Sequence, residues 1–442
     1  MRPFILTELQ AGKLPRWGLM LLCALYILPG LLGRDPWRAE DAADFGVSFT
    51  LATGGIADWL LPNMAGEPSF DRGPLSFWLA AIPSRLLSFL PEHWVVRMVA
   101  ALGLALMLAS FWYAAYLLAR RPGVQPSDPF GVSASQIDYG RALADSGLLI
   151  LIATFGLLIR LHETTAAAAQ VVCIAVFLLG AALALERPRR GGMIAGIAIA
   201  ALGLTKAWPN SIVLLLSLMV LCLLSQPYRI VARPFLMRVM AISLLLLSIW
   251  PISLYSLGGP YEAYLQRWVM TPLQLLGSPN QQSLAYFVQT VPWFFWPAWP
   301  VAAWAVYRWR SRLGEPAVAL PLITLGGLTV LALLGNRANE AALLPMAPPL
   351  ALLAAIGLPT LRRGVVSLID WFSVTTFTLF GLIVWAYWIA LVSGTPAKMA
   401  YRASQLANGT KPGVVVAELL LGLAASLAWL LLVICGSSVS RP

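Results

Sequence analysis

RDPWRAEDAADFGVSFTLATGGIADWLLPNMAGEPSFDRGP, residues 34 to 74, gathers Asp35, Glu40, Asp41, Asp44, Asp58, Glu67 and Asp71 beside Arg72. The whole chain of 442 residues is only 11% charged, so this concentration of acid stands out. Carboxylates held against a bilayer are costly unless they bind a charged partner or do chemistry, and function is therefore expected here. What kind of chain carries the segment is decided by its flanks, where Trp17 to Leu32 precedes it and the run from Trp94 follows it, both apolar.

Outward from these flanks the apolar runs continue. Hydrophobic residues fill 59% of the chain and the mean hydropathy is +0.78, which excludes a water-soluble globular domain. The alternation in units of roughly ten residues that a transmembrane barrel needs is absent. Runs long enough to cross a hydrocarbon core lie near 17–33, 94–118, 143–161, 166–185, 191–207, 208–226, 239–257, 290–307, 316–335, 342–360, 366–393 and 414–436. The expectation is an all-α polytopic membrane protein of about 12 transmembrane helices, forming a single domain over 1–442. Leu75 to Leu90 is short and broken by Pro83 and Arg85, so it is expected to lie in the interface. The first span has no small-x-small cleavage site after it and reads as retained.

Charge orients the chain. With the N-terminus inside, the inner connections hold 18 of the 30 basic residues, in pairs and triplets such as Arg120-Arg121 and Arg187 to Arg190, while 12 of the 19 acidic residues lie outside. This places the 34–92 loop on the extracytoplasmic side of an inner (plasma) membrane protein. The net charge of +11 is accounted for by that bias, so nucleic-acid binding is excluded. Cys23, Cys173, Cys222 and Cys435 sit in apolar runs without metal-ligand spacing and read as small core residues. No internal repeat and no soluble domain is visible, and Ala119 to Tyr139 reads as an inner linker.

Within the outer loop, Glu40 and Asp41 open a helix expected over Ala39 to Ala52. A carboxylate there suits a general base acting on a hydroxyl at a membrane surface; the competing reading is an acidic helix start that complements the dipole. Further on, Asp58-Trp59-Leu60-Leu61-Pro62-Asn63 and Ala65-Gly66-Glu67-Pro68 lead into Phe70-Asp71-Arg72-Gly73-Pro74-Leu75, with Trp78 following. Arg72 offers a fork of donors suited to a phosphate, with Asp71 to orient it; an interfacial turn with a snorkelling arginine is the alternative.

This order, an acidic pair, then D-W-x-x-P, then D-R-x-P-L-x-x-W, resembles the signature of the GT-C membrane glycosyltransferases of the glycosyltransferase-39/ArnT-like group. That group includes protein O-mannosyltransferases and the aminoarabinose transferases of lipid A. Leu204-Thr205-Lys206, Pro292-Trp293 and the run Leu343-Leu344-Pro345-x-x-Pro348-Pro349-Leu350-Ala351-Leu352 extend the resemblance along the chain. It implies transfer of a sugar from a polyprenyl-phosphate donor to a hydroxyl acceptor on a lipid, glycan or protein outside the membrane, by direct inverting displacement. Such a reaction needs one acidic base and several cations for the leaving phosphate.

By position in that pattern, Asp41 with Glu40 matches the catalytic acidic pair, and Asp71-Arg72 the dipeptide whose cation contacts the donor phosphate. Lys206 matches a lysine at the outer end of a later span, and Arg337 a basic residue ahead of the L-L-P run; snorkelling, and pairing with Glu340, are their structural alternatives. Glu163, beside His162 on the turn Arg160–Thr165, stands where the group often places another carboxylate, to orient the acceptor or a metal, or simply to cap helices. Arg267 is a further phosphate candidate.

The chain departs from the pattern in places. Arg72 replaces the family lysine and Gly73 a proline; Ala341 and Ala342 stand where a tyrosine often precedes L-L-P. The outer loop Gly258–Thr290 has no histidine, the chain's two being His93 and His162, so no structural zinc is expected; no cofactor is certain, and a divalent metal stays open. A separate C-terminal soluble domain is not expected. The rival reading is a multi-span transporter or flippase for a lipid-linked or small anionic solute, although its charges would be expected near the bilayer midplane.

Overall fold

The computed structural model describes residues 15–31, 36, 38–125, 134–206, 208–277, 281–335, 339–361, 363–406 and 416–439. They fall into two compact units, Met1–Thr360 and Leu361–Pro442. The first unit begins with α1 (Arg16–Leu31), whose Met20, Leu21, Leu25 and Leu28 are exposed, as befits a helix in lipid. The helix expected at the head of the acidic loop is α2 (Ala39–Thr53), with Glu40 and Asp41 in its first turn, where the dipole favours them. Its buried stripe is Asp41, Asp44, Val47, Ser48 and Leu51. At helical spacing this one face changes from carboxylate to hydrocarbon, so the apolar half anchors the helix while the acidic half is carried into the protein.

The anchor is α4 (Leu75–Leu86), which follows α3 (Ile56–Leu60) and a hairpin of β1 (Asn63–Met64) and β2 (Glu67–Pro68). Val47 and Leu51 pack on Phe77 and Ala81, with Trp59 and Trp78 against the cluster. Ala65 (φ 51) and Gly66 (φ 92) form the hairpin tip, where a two-residue turn needs left-handed backbone. Asn63 donates to Asp58 Oδ1 (3.0 Å) and the Leu61 carbonyl (2.9 Å) and accepts from Gly66 N–H (2.9 Å), which fixes that turn. Indole and phenol donors staple the loop to the body: Trp78 to the Trp59 carbonyl (2.7 Å), Trp250 to the Leu60 carbonyl (2.9 Å) and Tyr264 to the Ser69 carbonyl (2.6 Å). The D-W-x-x-P and P-L-x-x-W elements are thus two halves of one fastening.

The remaining helices of this unit are α5 (Glu92–Ala119), α6 (Gln136–Ala153), α7 (Leu157–Arg160), α8 (Ala166–Ala184), α9 (Pro188–Thr205), α10 (Trp208–Leu224), α11 (Gln226–Leu257), α12 (Pro260–Gln274), α13 (Gln281–Phe294), α14 (Ala298–Arg308), α15 (Pro316–Leu334), α16 (Glu340–Leu343) and α17 (Ala347–Gly357). Gly180 and Gly191 bring α8 and α9 together, since a Cβ on either would meet the backbone of Ala195 or Ala184; close approach of small residues is how helices associate in lipid. The L-L-P-x-x-P-P run is wholly buried from Leu343 through α17.

Six helices among the described residues are long and apolar enough to cross a membrane: Glu92–Ala119, Ala166–Ala184, Gln226–Leu257, Pro316–Leu334, the segment Glu340–Thr360 and Ser367–Ser393. Shorter apolar helices lie at Arg16–Pro29, Trp208–Leu224 and Leu419–Leu431. The run expected over 290–307 is not one helix. It divides into the end of α13 and the 11-residue α14, around Pro297, which has no N–H to continue a helix. The run expected over 143–161 likewise ends at Ala153, and a turn leads into α7.

The second unit comprises α18 (Arg363–Ser393), α19 (Ala397–Leu406) and α20 (Val416–Val439). Within it Trp385 donates to Ser426 Oγ (2.9 Å) and Trp429 to Thr378 Oγ1 (3.1 Å), polar contacts that join α18 and α20 where lipid offers no competing partner.

Candidate functional site

The acidic half of α2 meets three elements that arrive from elsewhere in the chain. Asp41, fully buried, accepts at Oδ1 from the N–H (2.7 Å) and Oγ1 (2.6 Å) of Thr164, on the turn between α7 and α8. Its Oδ2 faces Arg97 Nη2 at 3.4 Å, a guanidinium that α5 buries to 2% exposure. One turn along α2, Asp44 accepts at Oδ2 from the N–H of Ala166 (2.8 Å), the first residue of α8, where the orphan donors of a helix start are aimed.

Arg72 completes this centre from the loop ahead of α4. Its Nη1 is ion-paired to Asp44 Oδ1, and its Nε stands 3.8 Å from Asp71 Oδ2. The loop is held there by Gly73, whose N–H donates to the Thr205 carbonyl (3.2 Å) at the end of α9; any side chain at 73 would collide with the Leu204 carbonyl. Backbone proximity thus explains why a glycine stands at this position. The same docking brings Arg72 towards the end of α9, and Lys206 there acts with Arg72 to lower the pKa of Asp44. Burial outweighs both cations and pushes that carboxyl up to about 6.

Around this centre Arg160 gathers three carboxylates from three elements. Its Nη1 reaches Glu40 Oε2 (3.1 Å) and Glu163 Oε2 (3.2 Å), and its Nε reaches Glu340 Oε2 (2.7 Å) at the start of α16. Glu163 is 1% exposed and also pairs with Arg38 (3.3 Å). Burial raises its pKa, against the pull of Arg160 and Arg38. His162 lies between the Leu158 carbonyl (2.6 Å to Nδ1) and the Tyr26 carbonyl (2.7 Å to Nε2), so both ring nitrogens are engaged with backbone.

The structure therefore brings Glu40, Asp41, Glu163, Asp71, Arg72 and Lys206 to one end of the helices. Asp71 was expected to orient Arg72 and stands 3.8 Å from its Nε, whereas the ion pair of Arg72 with Asp44 was not expected. Arg267, on α12, is exposed and lies over the ring of Phe70 (5.3 Å), next to Asp71. Arg337 and Trp37 lie outside the described residues, and Glu340 pairs with Arg160. Asp44, Arg97 and Arg160 were not singled out by sequence reasoning. Asp44 is three residues from Asp41 on the same helix face, and Arg97 is an arginine inside an apolar run; both signals were present.

Among the described residues no group of three or more His, Cys, Asp and Glu side chains is placed to hold a metal ion. The carboxylates here are occupied by guanidinium and backbone N–H donors, a set that fits an anion-handling site better than a divalent cation.

No protein-family model matches the chain, and no curated protein matches it in sequence. Solved structures do match it. The crystal structure of ArnT from Cupriavidus metallidurans bound to undecaprenyl phosphate aligns with a TM-score of 0.65 at 16% identity, covering 85% of this chain and 64% of that one. The same protein in the apo state aligns at 0.63 and 15%, with the same coverage. What the chain shares with these structures is a polytopic all-α fold. The chain spans less than two thirds of the length of these ArnT chains.

Proposed function

We propose that this multi-pass membrane protein is a glycosyltransferase that moves a sugar from a polyprenyl-phosphate donor to a hydroxyl acceptor. The observation that carries the reading is the convergence of Arg72 and Lys206 on a buried carboxylate one helical turn from Asp41. Fixed cations beside a fixed base are what displacement of a lipid phosphate requires. The likeness to ArnT, solved with undecaprenyl phosphate, supports the same class of donor.

In this reading the acceptor oxygen attacks the anomeric carbon from the face opposite the phosphate. The bond between that carbon and the phosphate oxygen breaks, and its electron pair leaves on the lipid phosphate. Asp41 takes the acceptor's proton. Three hydrogen bonds from Thr164 and Arg97 occupy three of about four lone-pair sites on that carboxylate and leave one for the acceptor hydroxyl. Arg72 and Lys206 hold the departing phosphate, with Arg267 at the outer margin and Arg337 as a further cation. Asp44 does not touch the reactants; it aims Arg72. Glu40 and Glu163, gathered by Arg160, shape the acceptor side. The product sugar is inverted at its anomeric carbon.

The basic clusters at inner connections support an inner (plasma) membrane orientation with the N-terminus in the cytoplasm and this site outside. Mass spectrometry of envelope glycolipids and glycoproteins, from cells with and without the gene and with Asp41→Asn, tests the proposal. A sugar-sized mass lost equally in the deletion and in Asp41→Asn is expected. An unchanged glycan profile accompanied by a solute-uptake defect would overturn it in favour of the transporter.

A further inference from the structure

A groove of about 970 Å³ runs between α1, α5 and α6. One end lies at Arg16 and Arg141, near the starts of α1 and α6; the other lies at Ile27 and Met98, beside Tyr26 and Arg97 and so beneath the candidate site. Its wall is apolar apart from Arg16, Arg141, Asp145 and the tips of Trp112, Tyr113 and Tyr116. Arg141 is half-buried and takes part in no ion pair among the described residues. Asp145, one turn further along α6, is 4% exposed; its Oδ1 accepts from Trp112 Nε1 (2.7 Å), and its Oδ2 has no partner. Trp112 in turn stacks on Tyr116 with ring centres 5.4 Å apart.

A buried carboxylate oxygen without a donor, inside a membrane helix, marks a place where a ligand group belongs. We propose that the groove binds one anionic glycerophospholipid with a hydroxyl-bearing head group, of the phosphatidylglycerol type, from the leaflet opposite the candidate site. The phosphodiester lies on Arg141 and Arg16, a head-group hydroxyl donates to Asp145 Oδ2, and an acyl chain follows the apolar wall towards Ile27 and Met98. Charge selects this class: two guanidiniums and one carboxylate leave a single positive charge, which a lipid of one net negative charge neutralises and a zwitterionic lipid does not. Geometry agrees, because side chains lean towards a helix N-terminus, so Arg141 and Asp145 both reach back towards the interface at the start of α6. Length agrees as well, since α1 rises about 18 Å from Arg16 to Leu28, close to one leaflet of a roughly 30 Å hydrocarbon core.

The test uses the purified full-length protein, delipidated in detergent and titrated with phosphatidylglycerol, phosphatidylmethanol or phosphatidylcholine under native mass spectrometry. Phosphatidylmethanol keeps the charge and lacks the hydroxyl; phosphatidylcholine lacks net charge and hydroxyl alike. Phosphatidylglycerol is expected to bind one to one, about tenfold more tightly than phosphatidylcholine, and Arg141→Gln to remove that margin. Asp145→Asn, which retains an acceptor for Trp112, is expected to erase a preference of about threefold for phosphatidylglycerol over phosphatidylmethanol. Thermal unfolding of each variant verifies that it is folded, and Arg141→Gln, at a half-buried helix start, provides a second route if Asp145→Asn is not. Equal binding of phosphatidylglycerol and phosphatidylcholine by the natural protein, or unchanged affinity in Arg141→Gln, would overturn the site; equal binding of phosphatidylglycerol and phosphatidylmethanol would overturn the hydroxyl contact.

Discussion

Arg72 is ion-paired to Asp44 rather than to Asp41, which lies one turn earlier on the same helix. The two carboxylates thus have separate surroundings: Asp41 is held by Thr164 and Arg97, Asp44 by Arg72 and the start of α8. Separate surroundings imply separable roles, and the first prediction rests on that division.

Asp41→Asn is expected to lower kcat by about 10²- to 10⁴-fold, the usual range for loss of a general base, with donor binding retained. Asp44→Asn is expected instead to act mainly through the donor, raising its KM about tenfold by releasing Arg72 from its fixed orientation. Steady-state kinetics of both variants in proteoliposomes separates the two. Equal effects on kcat and KM in both would merge the roles assigned here.

The pH dependence of stability follows from Asp44. Its carboxyl titrates near 6 in the folded protein and at an ordinary 3.8 in the unfolded chain, so the folded state binds the extra proton between those values. The contribution is fully present below about pH 3.8 and is lost as pH rises through 6, and the loss reaches roughly 3 kcal/mol at neutrality. Thermal unfolding followed from pH 4 to 7 should show the natural protein losing stability relative to Asp44→Asn over this window. Parallel curves for the two proteins would refute the assignment.

Arg160 holds three carboxylates, one of them almost completely buried. Arg160→Gln leaves Glu163 with Arg38 as its remaining ion pair, and should cost about 1–3 kcal/mol, the lower part of the range for breaking a buried pair because Arg38 and solvent compensate. Arg160→Lys, which keeps the charge and loses the fork, is expected to recover about half of the loss. Denaturation midpoints of the three proteins decide this.

Gly73→Ala places a methyl group against the Leu204 carbonyl and strains the hydrogen bond to Thr205. A destabilisation of about 1–3 kcal/mol is expected, as for overpacking elsewhere. Because the strain falls between Arg72 and Lys206, the KM for the donor should rise more than that for the acceptor. A rise confined to the acceptor would place the phosphate somewhere else.

The all-α membrane architecture and the location of the acidic centre were legible in the linear chain, because burial in lipid demands long apolar helices and makes every carboxylate among them conspicuous. The D-W-x-x-P and D-R-x-P-L-x-x-W elements were legible as motifs, and Trp78 on the Trp59 carbonyl is the reason they occur together. Partnership was not legible. Thr164 is 123 positions from Asp41, Glu340 is 180 from Arg160, and hydrophobic period says nothing about which helix ends meet. The division of 290–307 was signalled by Pro297 but was outweighed by the hydropathy of its neighbours.

What the amino-acid order determined alone was which segments are driven from water and which single loop carries acid among them, since both follow from local composition. What only the tertiary structure decided was the choice of Asp44 over Asp41 for Arg72 and the recruitment of Arg97 and Arg160. Those contacts depend on docking the Gly73 backbone onto the end of α9 and on the meeting of α2 with the start of α8, and short-range electrostatics takes effect only after such surfaces have come together.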